Sequence, residues 1–239
     1  IEFSLEPAPA TNTFSFQVTM PDSLQAGEYQ LSASAVIDGT VYRQSMQEIA
    51  YPHISTHRTY AKASSEIEVV DVSVTDVNVG YLMGSGDLVP ESLRRLGVSV
   101  SLLSDSELTT GDLSQFDVIV VGIRASQTRP AYAANNQRLL NYTEKGGTLI
   151  VQYQQPDFVE KNLAPFNVTM DRNVRVVDET APITILEPNH PVFNFPNKIT
   201  TEDFDGWVQE RNNYNFTSFD REQYVPLTEA HDEGEPPSE

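Results

Sequence analysis

Residues 1 to about 55 alternate apolar and polar positions with a period of two: Ile1, Phe3 and Leu5, then Phe14, Phe16, Val18 and Met20, then Tyr29, Leu31, Ala33 and Ala35. A period of two turns one face of a strand toward a core. "IDGTV", at 37–41, supplies the Asp-Gly pair that a two-residue hairpin favours. The segment reads as a small β-sandwich closed by "YPHIS" at 51–55. "STHRTYAKASSE" is polar enough to be a linker into the strand-like "IEVVDVSV". The expected division is a sandwich over 1–55, a linker and strand over 56–76, and a second domain over 77–239.

From 77 the pattern changes to short apolar runs separated by helices. "VNVGYLM" is followed by the helix "PESLRRLG", then "VSVSLL", "DVIVVGI", the helix "AYAANNQRLLNYTEKGG", and "TLIVQY". Runs this continuous suit a parallel sheet covered on both faces, so the expected class is α/β, doubly wound. Pro90 suits a first helical turn, where its missing N–H costs nothing, and Leu93 and Leu96 would face the sheet. Beyond 155 the sequence is proline-rich and irregular, and its acidic end, "HDEGEPPSE", is compatible with disorder.

The composition narrows the function. With 239 residues and 39% hydrophobic positions the chain can fill real cores. Its net charge of -19 repels phosphates, which argues against nucleic acid and anionic membranes as partners. The four lysines, Lys62, Lys145, Lys161 and Lys198, against 34 acidic residues also suit a protein kept soluble in high salt, a halophile's balance. No cysteine is present, which removes disulfides, thiolate metal sites and a cysteine nucleophile. No apolar stretch is long enough for a membrane span, and the first residues lack a signal peptide's basic start. A start in mid-strand without methionine is expected of a piece of something longer.

"VGYLMGSGDLVPESLRRLG", at 79–97, begins as a phosphate loop does, with Gly84 and Gly86 after a strand. The third fingerprint position is Val89, however, and no Walker-type glycine-lysine run exists. These glycines serve equally to bring backbones together at a tight turn. In a sheet of order 2-1-3-4-5 the crevice opens where the loops after the first and third strands diverge. Those loops carry Ser85 and Asp87, then Arg124, Gln127, Thr128 and Arg129. The arginines and the aspartate could hold a sugar or a carboxylate, or the arginines could simply pair with acids.

A second candidate surface is "TEDFDGWVQER", which sets Asp203, Asp205, Glu210 and Arg211 around Trp207, the single tryptophan. An aromatic plate edged by acids is a surface on which sugar rings stack; the same residue could instead be buried packing. Its carboxylates would equally suit an acid and base for glycoside hydrolysis. Asn189 and His190 precede Pro191 in a turn nearby in sequence. His53 and His57 lack a third ligand, and His231, Asp232 and Glu233 read as solvated charge, so no metal site is expected.

Together "VGYLMGSGD", "FDVIVVGIRASQTR", "LLNYTEKGGTLIVQY", "PNHPVFNFPNKITTEDFDGWVQER" and "AHDEGEPP" resemble the C-terminal region of large bacterial PIG-L/LmbE-type N-deacetylases. "AGEYQLSASAVIDGTVYRQSMQEIAYPHI" is similar to the sandwich that precedes it. The resemblance covers nearly the whole chain. It implies an immunoglobulin-like sandwich followed by a flavodoxin-like domain similar to class I glutamine amidotransferases, continuing past Glu239 into a further strand pair and helix. It also implies a separate zinc-dependent domain that deacetylates N-acetylglucosamine-type substrates, with a periplasmic or extracellular setting. The family's His-Pro-Asp-Asp zinc run is absent, so no zinc ligand carries over. The amidotransferase nucleophile would stand where Gln152, Tyr153 and Gln154 are, so that activity is expected to be lost. The expected role is therefore a non-catalytic accessory region that recognises or positions an N-acetylated glycan for the deacetylase domain, with no cofactor of its own. Gly84, Gly86, Asp87, Arg124 and Arg129 form one candidate contact set, and Asn189, His190, Asp203, Trp207, Glu210 and Arg211 the other. A structural or assembly module and a carboxylate-based glycoside hydrolase are the alternatives.

Overall fold

The computed structural model describes residues 12–19, 21, 23–207 and 212–237, in two compact units, 1–72 and 73–239. The first unit carries β1 (Gly27–Ser32), β2 (Ala35–Ile37), β3 (Thr40–Tyr42), β4 (Gln44–Ile49), β5 (His57–Lys62) and β6 (Ser64–Val69). They pair antiparallel as β1–β6, β2–β3 and β4–β5. The β2–β3 hairpin turns on Asp38 and Gly39, at φ 48° and 77°. Both central positions need the left-handed region, which aspartate tolerates and glycine adopts freely.

Two expectations are corrected in this unit. The stretch 56–66 holds β5 and the first half of β6 rather than a linker, and the boundary between the units falls after Val72, within the 56–76 span expected for it. Its polarity misled because a ladder needs only backbone groups, and no described residue of this unit is buried. Phe14, Phe16 and Val18 lie in no strand and are exposed, Phe16 at 71%. The described strands form three two-stranded ladders, tied by Ala33 N–H to Ala63 O and Ala63 N–H to Arg43 O, each 2.8 Å. Ile1, Phe3, Leu5 and Met20 fall outside the described residues.

The second unit alternates strands and helices: β7 (Asn78–Leu82), α1 (Val89–Arg95), β8 (Ser99–Leu102), α2 (Asp105–Thr110), β9 (Val118–Val121), α3 (Ala125–Thr128), α4 (Pro130–Glu144), β10 (Thr148–Val151) and α5 (Asp157–Glu160). The four strands form one parallel sheet in the order β10-β9-β7-β8. Consecutive side chains enter opposite clusters. Val79, Tyr81 and Val120 pack with Val89 of α1, while Leu82, Ile119 and Val121 pack with Leu108 of α2 and Leu139 of α4. Both sheet faces are thereby covered. Tyr132, Asn136, Leu139 and Tyr142 are the buried positions of α4, and their steps of four and three keep them on one helical face. Helix α2 is fixed by a capping box, in which Ser104 and Glu107 each accept the other's backbone N–H.

Beyond 160 the chain forms small antiparallel ladders. β11 (Val168–Met170) pairs with β15 (Phe216–Phe219), β12 (Arg175–Val176) with β14 (Asn212–Asn213), and β13 (Thr184–Ile185) with β16 (Thr228–Glu229). The acidic end is more ordered than its composition suggests. Ala230 is buried with Val176 and Ala181, and the Asp232 carboxylate accepts the N–H groups of Val177 at 3.1 Å and Asp178 at 2.8 Å.

Candidate functional site

The loops after β7 and β9 meet backbone to backbone. Ser85 N–H donates to Ile123 O at 2.9 Å, and a Cβ placed on Gly84 would stand 2.0 Å from that same oxygen. Gly84 is glycine because no side chain fits there. Gly86, at φ 99°, meets open space and is required by its backbone angle instead.

The charged groups of this crevice are engaged. Arg129 donates from Nη1 to Met83 O at 3.0 Å and from Nε to Asp105 Oδ1 at 3.0 Å, and its Nη2 also meets Asp105. It clamps the loop after β7 to the start of α2. Arg124 sits in the left-handed region at φ 57°, donates its N–H to Tyr153 O at 2.9 Å, and brings Nε within 3.1 Å of the Gln155 side-chain amide. Asp87 Oδ1 accepts from Val89 N–H at 3.0 Å and from the Tyr81 hydroxyl at 2.8 Å; Oδ2 is buried without a hydrogen-bond partner. Burial first, and Asp87 second, push the Tyr81 hydroxyl above the usual phenol range.

At the corner after β10, the Gln154 side chain is a buried strut. Its Nε2 donates to Gly122 O at 3.0 Å and Gln152 O at 2.9 Å, and its Oε1 accepts from Ser126 N–H at 3.0 Å. Beneath it lies a group that sequence reasoning missed: the Ser126 hydroxyl donates to Asp157 Oδ1 at 3.0 Å, and Lys161 donates to Asp157 Oδ2 at 2.9 Å. Ser126 is 1% exposed, so this hydroxyl is closed to a substrate and the cluster pins α3 to α5. Its three members lie 31 and 4 residues apart, a spacing without a motif to flag it.

The described members of the second candidate set make local contacts. His190 Nδ1 accepts from Val192 N–H at 3.3 Å in a turn that Asn194 closes onto Pro188 O at 2.8 Å, with Asn189 exposed beside it. Asp203 accepts from the N–H of Thr200 at 2.6 Å and from its hydroxyl at 3.1 Å, capping the turn Thr201–Phe204. Trp207 is 55% exposed, and its ring lies nearly parallel to Phe204, 11° between planes and 6.1 Å between centroids. Glu210 and Arg211 lie outside the described residues.

A cavity of about 390 Å³ lies along β10, lined by Leu149, Val151, Tyr153, Tyr214, Phe216 and Tyr224 among others. Tyr153 and Tyr214 stack at 6.1 Å, and Tyr214 is held at φ 60°. Asn213 and Asn215 belong to the same lining, and their Oδ1 and Nδ2 atoms are shielded and have no hydrogen-bond partner among the described residues. No glycine fingerprint or charge pattern marks this place in the sequence.

Among the described residues no three histidines, cysteines or acids come together as a metal site. Asp232 is spent on backbone amides, and His53 stacks on Tyr51 at 5.9 Å. The zinc implied by the family resemblance therefore has no fitting ligand set in the residues described. No described helix is long and apolar enough to cross a membrane. Comparison of the chain with protein-family models, with curated proteins and with solved structures found no match.

Proposed function

We propose that this chain is a non-catalytic accessory region that recognises or positions a glycan for a zinc-dependent sugar N-deacetylase domain of the same protein. Trp207 carries the reading. A half-exposed indole lying parallel to Phe204 offers a flat apolar plate, and the C–H face of a pyranose covers such a plate well. Asp205, exposed and two residues before the indole in the chain, is an acceptor for sugar hydroxyls. The parallel order β10-β9-β7-β8, with both faces covered, supports a doubly wound domain as the scaffold. The crevice residues are better read as fasteners than as contacts, since Arg129 and Asp87 already hold loops together. A hydrolase reading gains nothing from Asp203, whose carboxylate caps its own turn.

The single tryptophan makes the test direct, because intrinsic indole fluorescence reports this plate alone. Titration with N-acetylglucosamine oligomers should give a saturable change in emission, with the deacetylated oligomers as comparison. Phe204→Ala should weaken binding by about 0.5–1.5 kcal/mol, or roughly two- to tenfold. Emission and melting temperature that both stay constant with every oligomer to several millimolar would remove the recognition role and leave a structural spacer.

A further inference from the structure

The Trp207 plate stands on a stretch of chain with few ties to the rest of the fold. Between Glu187 and Gly206 one side chain, Phe193, is buried, while Val192, Phe195 and Ile199 are exposed. The backbone hydrogen bonds here run between near neighbours: His190 N–H to Glu187 O, Ile199 N–H to Phe193 O, Asp203 N–H to Thr200 O and Asp205 N–H to Glu202 O. Among the described residues, the hydrogen bonds that leave this stretch are those of one side chain, Asn197.

Asn197 Oδ1 accepts the Ser73 N–H at 2.8 Å, and Asn197 Nδ2 donates to Ser73 O at 2.9 Å. A side-chain amide carries an acceptor and a donor side by side, so it pairs with both backbone groups of one residue as a neighbouring strand would. Alanine has neither group, and glutamine has both on a longer arm. Ser73 opens the second unit, ahead of β7, and the first residue of β7, Asn78, donates its own N–H to Asp117 at 2.8 Å. The amide thus ties the plate-bearing stretch to the entry of an interior strand of the sheet. On the other side the path to the plate is short. Ile199 N–H closes the loop 193–199 onto Phe193 O at 2.8 Å, Thr200 and Asp203 cap the next turn, and Phe204 at the end of that turn stacks on Trp207.

We propose that Asn197 is a positioning residue for the plate: by gripping Ser73 it holds Phe204 and Trp207 in one orientation for a sugar ring to cover. The inference rests on the glycan reading for its ligand, and on the Asn197–Ser73 pair for its mechanics. Asn197 acts through the stretch that carries the rings, its acceptor and its donor both engaged on Ser73. A plate ordered before the ligand arrives spares the ligand the cost of ordering it.

The test uses the full chain, read by the emission anisotropy of its single indole, by amide exchange and by titration with N-acetylglucosamine oligomers. Asn197→Ala should lower the anisotropy, speed exchange at Ser73 by about tenfold or more and raise the oligomer Kd roughly three- to tenfold. Amides of β7 and β9 should exchange as in the wild type, which separates positioning from general loosening. Asn197→Gln, with both polar groups, should regain much of the Ser73 protection and of the affinity. Ser73→Ala, which keeps both backbone partners, should change nothing. Unaltered anisotropy and Ser73 exchange in Asn197→Ala overturn the proposal, as does a lower anisotropy with an unchanged Kd. Faster exchange throughout β7 and β9 also overturns it, because Asn197 would then be a fastener of the whole unit. A wild-type chain that binds no oligomer removes the glycan reading instead, and the anisotropy and Ser73 exchange then decide by themselves whether Asn197 holds the indole.

Discussion

At the scale of the residue, the features that looked like ligand chemistry hold the molecule together. Gly84 illustrates this most sharply: a methyl group there would occupy the place of Ile123 O. Gly84→Ala should cost about 1–3 kcal/mol in urea unfolding while leaving the emission of Trp207 unaltered, because the damage is confined to two touching loops. An alanine accepted without loss of stability would contradict the close approach. Titration offers a second test. Tyr81 and Tyr132 are both raised above the ordinary phenol value, the first by burial and then Asp87, the second by burial alone. A phenol kept neutral by the fold contributes stability that is complete below the unfolded value near 10 and is lost as pH climbs above it. The melting temperature should therefore be insensitive to these groups through neutral pH and fall beyond about pH 10. The Tyr132 hydroxyl is buried without a hydrogen-bond partner, so Tyr132→Phe should reduce the alkaline fall with little or no loss at neutral pH.

At the scale of the element, what the sequence made legible was what burial had written into it. The runs at 77–83 and 117–123 contain the buried strands β7 and β9, because a strand covered on both faces is apolar throughout, while those at 98–103 and 148–153 contain the more exposed flanking strands β8 and β10. "IDGTV" marked its hairpin because the turn demands two positive φ angles. The strands β5 and β6 were hidden by "STHRTYAKASSE", since in a unit without buried residues polarity no longer separates strand from linker. Phe14, Phe16 and Val18 show the converse: the alternation is present and no strand forms. Of the candidate sites, the exposed plate at Trp207 was legible because tryptophan occurs once. The cavity along β10 was not, because Leu149, Tyr153 and Asn213 come together only through the fold.

At the scale of the whole molecule, the two units differ in how they are held. The second has three buried clusters, and the first has none among its described residues, only antiparallel ladders that expose Tyr42, Met46 and Tyr60. Two-stranded ladders are marginal by themselves in water. Native-state hydrogen exchange should therefore find the amides of β1–β6 opening at a small fraction of the free energy that protects β7 and β9. Equal protection in both units would show that the first is held by something beyond its own ladders. The charge of -19 adds self-repulsion throughout, which favours solubility over compactness.

The order β10-β9-β7-β8 also sets a sequence of assembly. A chain synthesised from its N-terminus releases β7 first among the strands of this sheet, then β8, whose place is on one flank, then β9 and β10, whose places are on the other. β9 covers the open side of β7 and β10 covers β9, while β8 stays an edge. Until β10 has been released, the outer side of the buried strand β9 is an unpaired apolar edge, the kind of surface that invites pairing with a foreign strand.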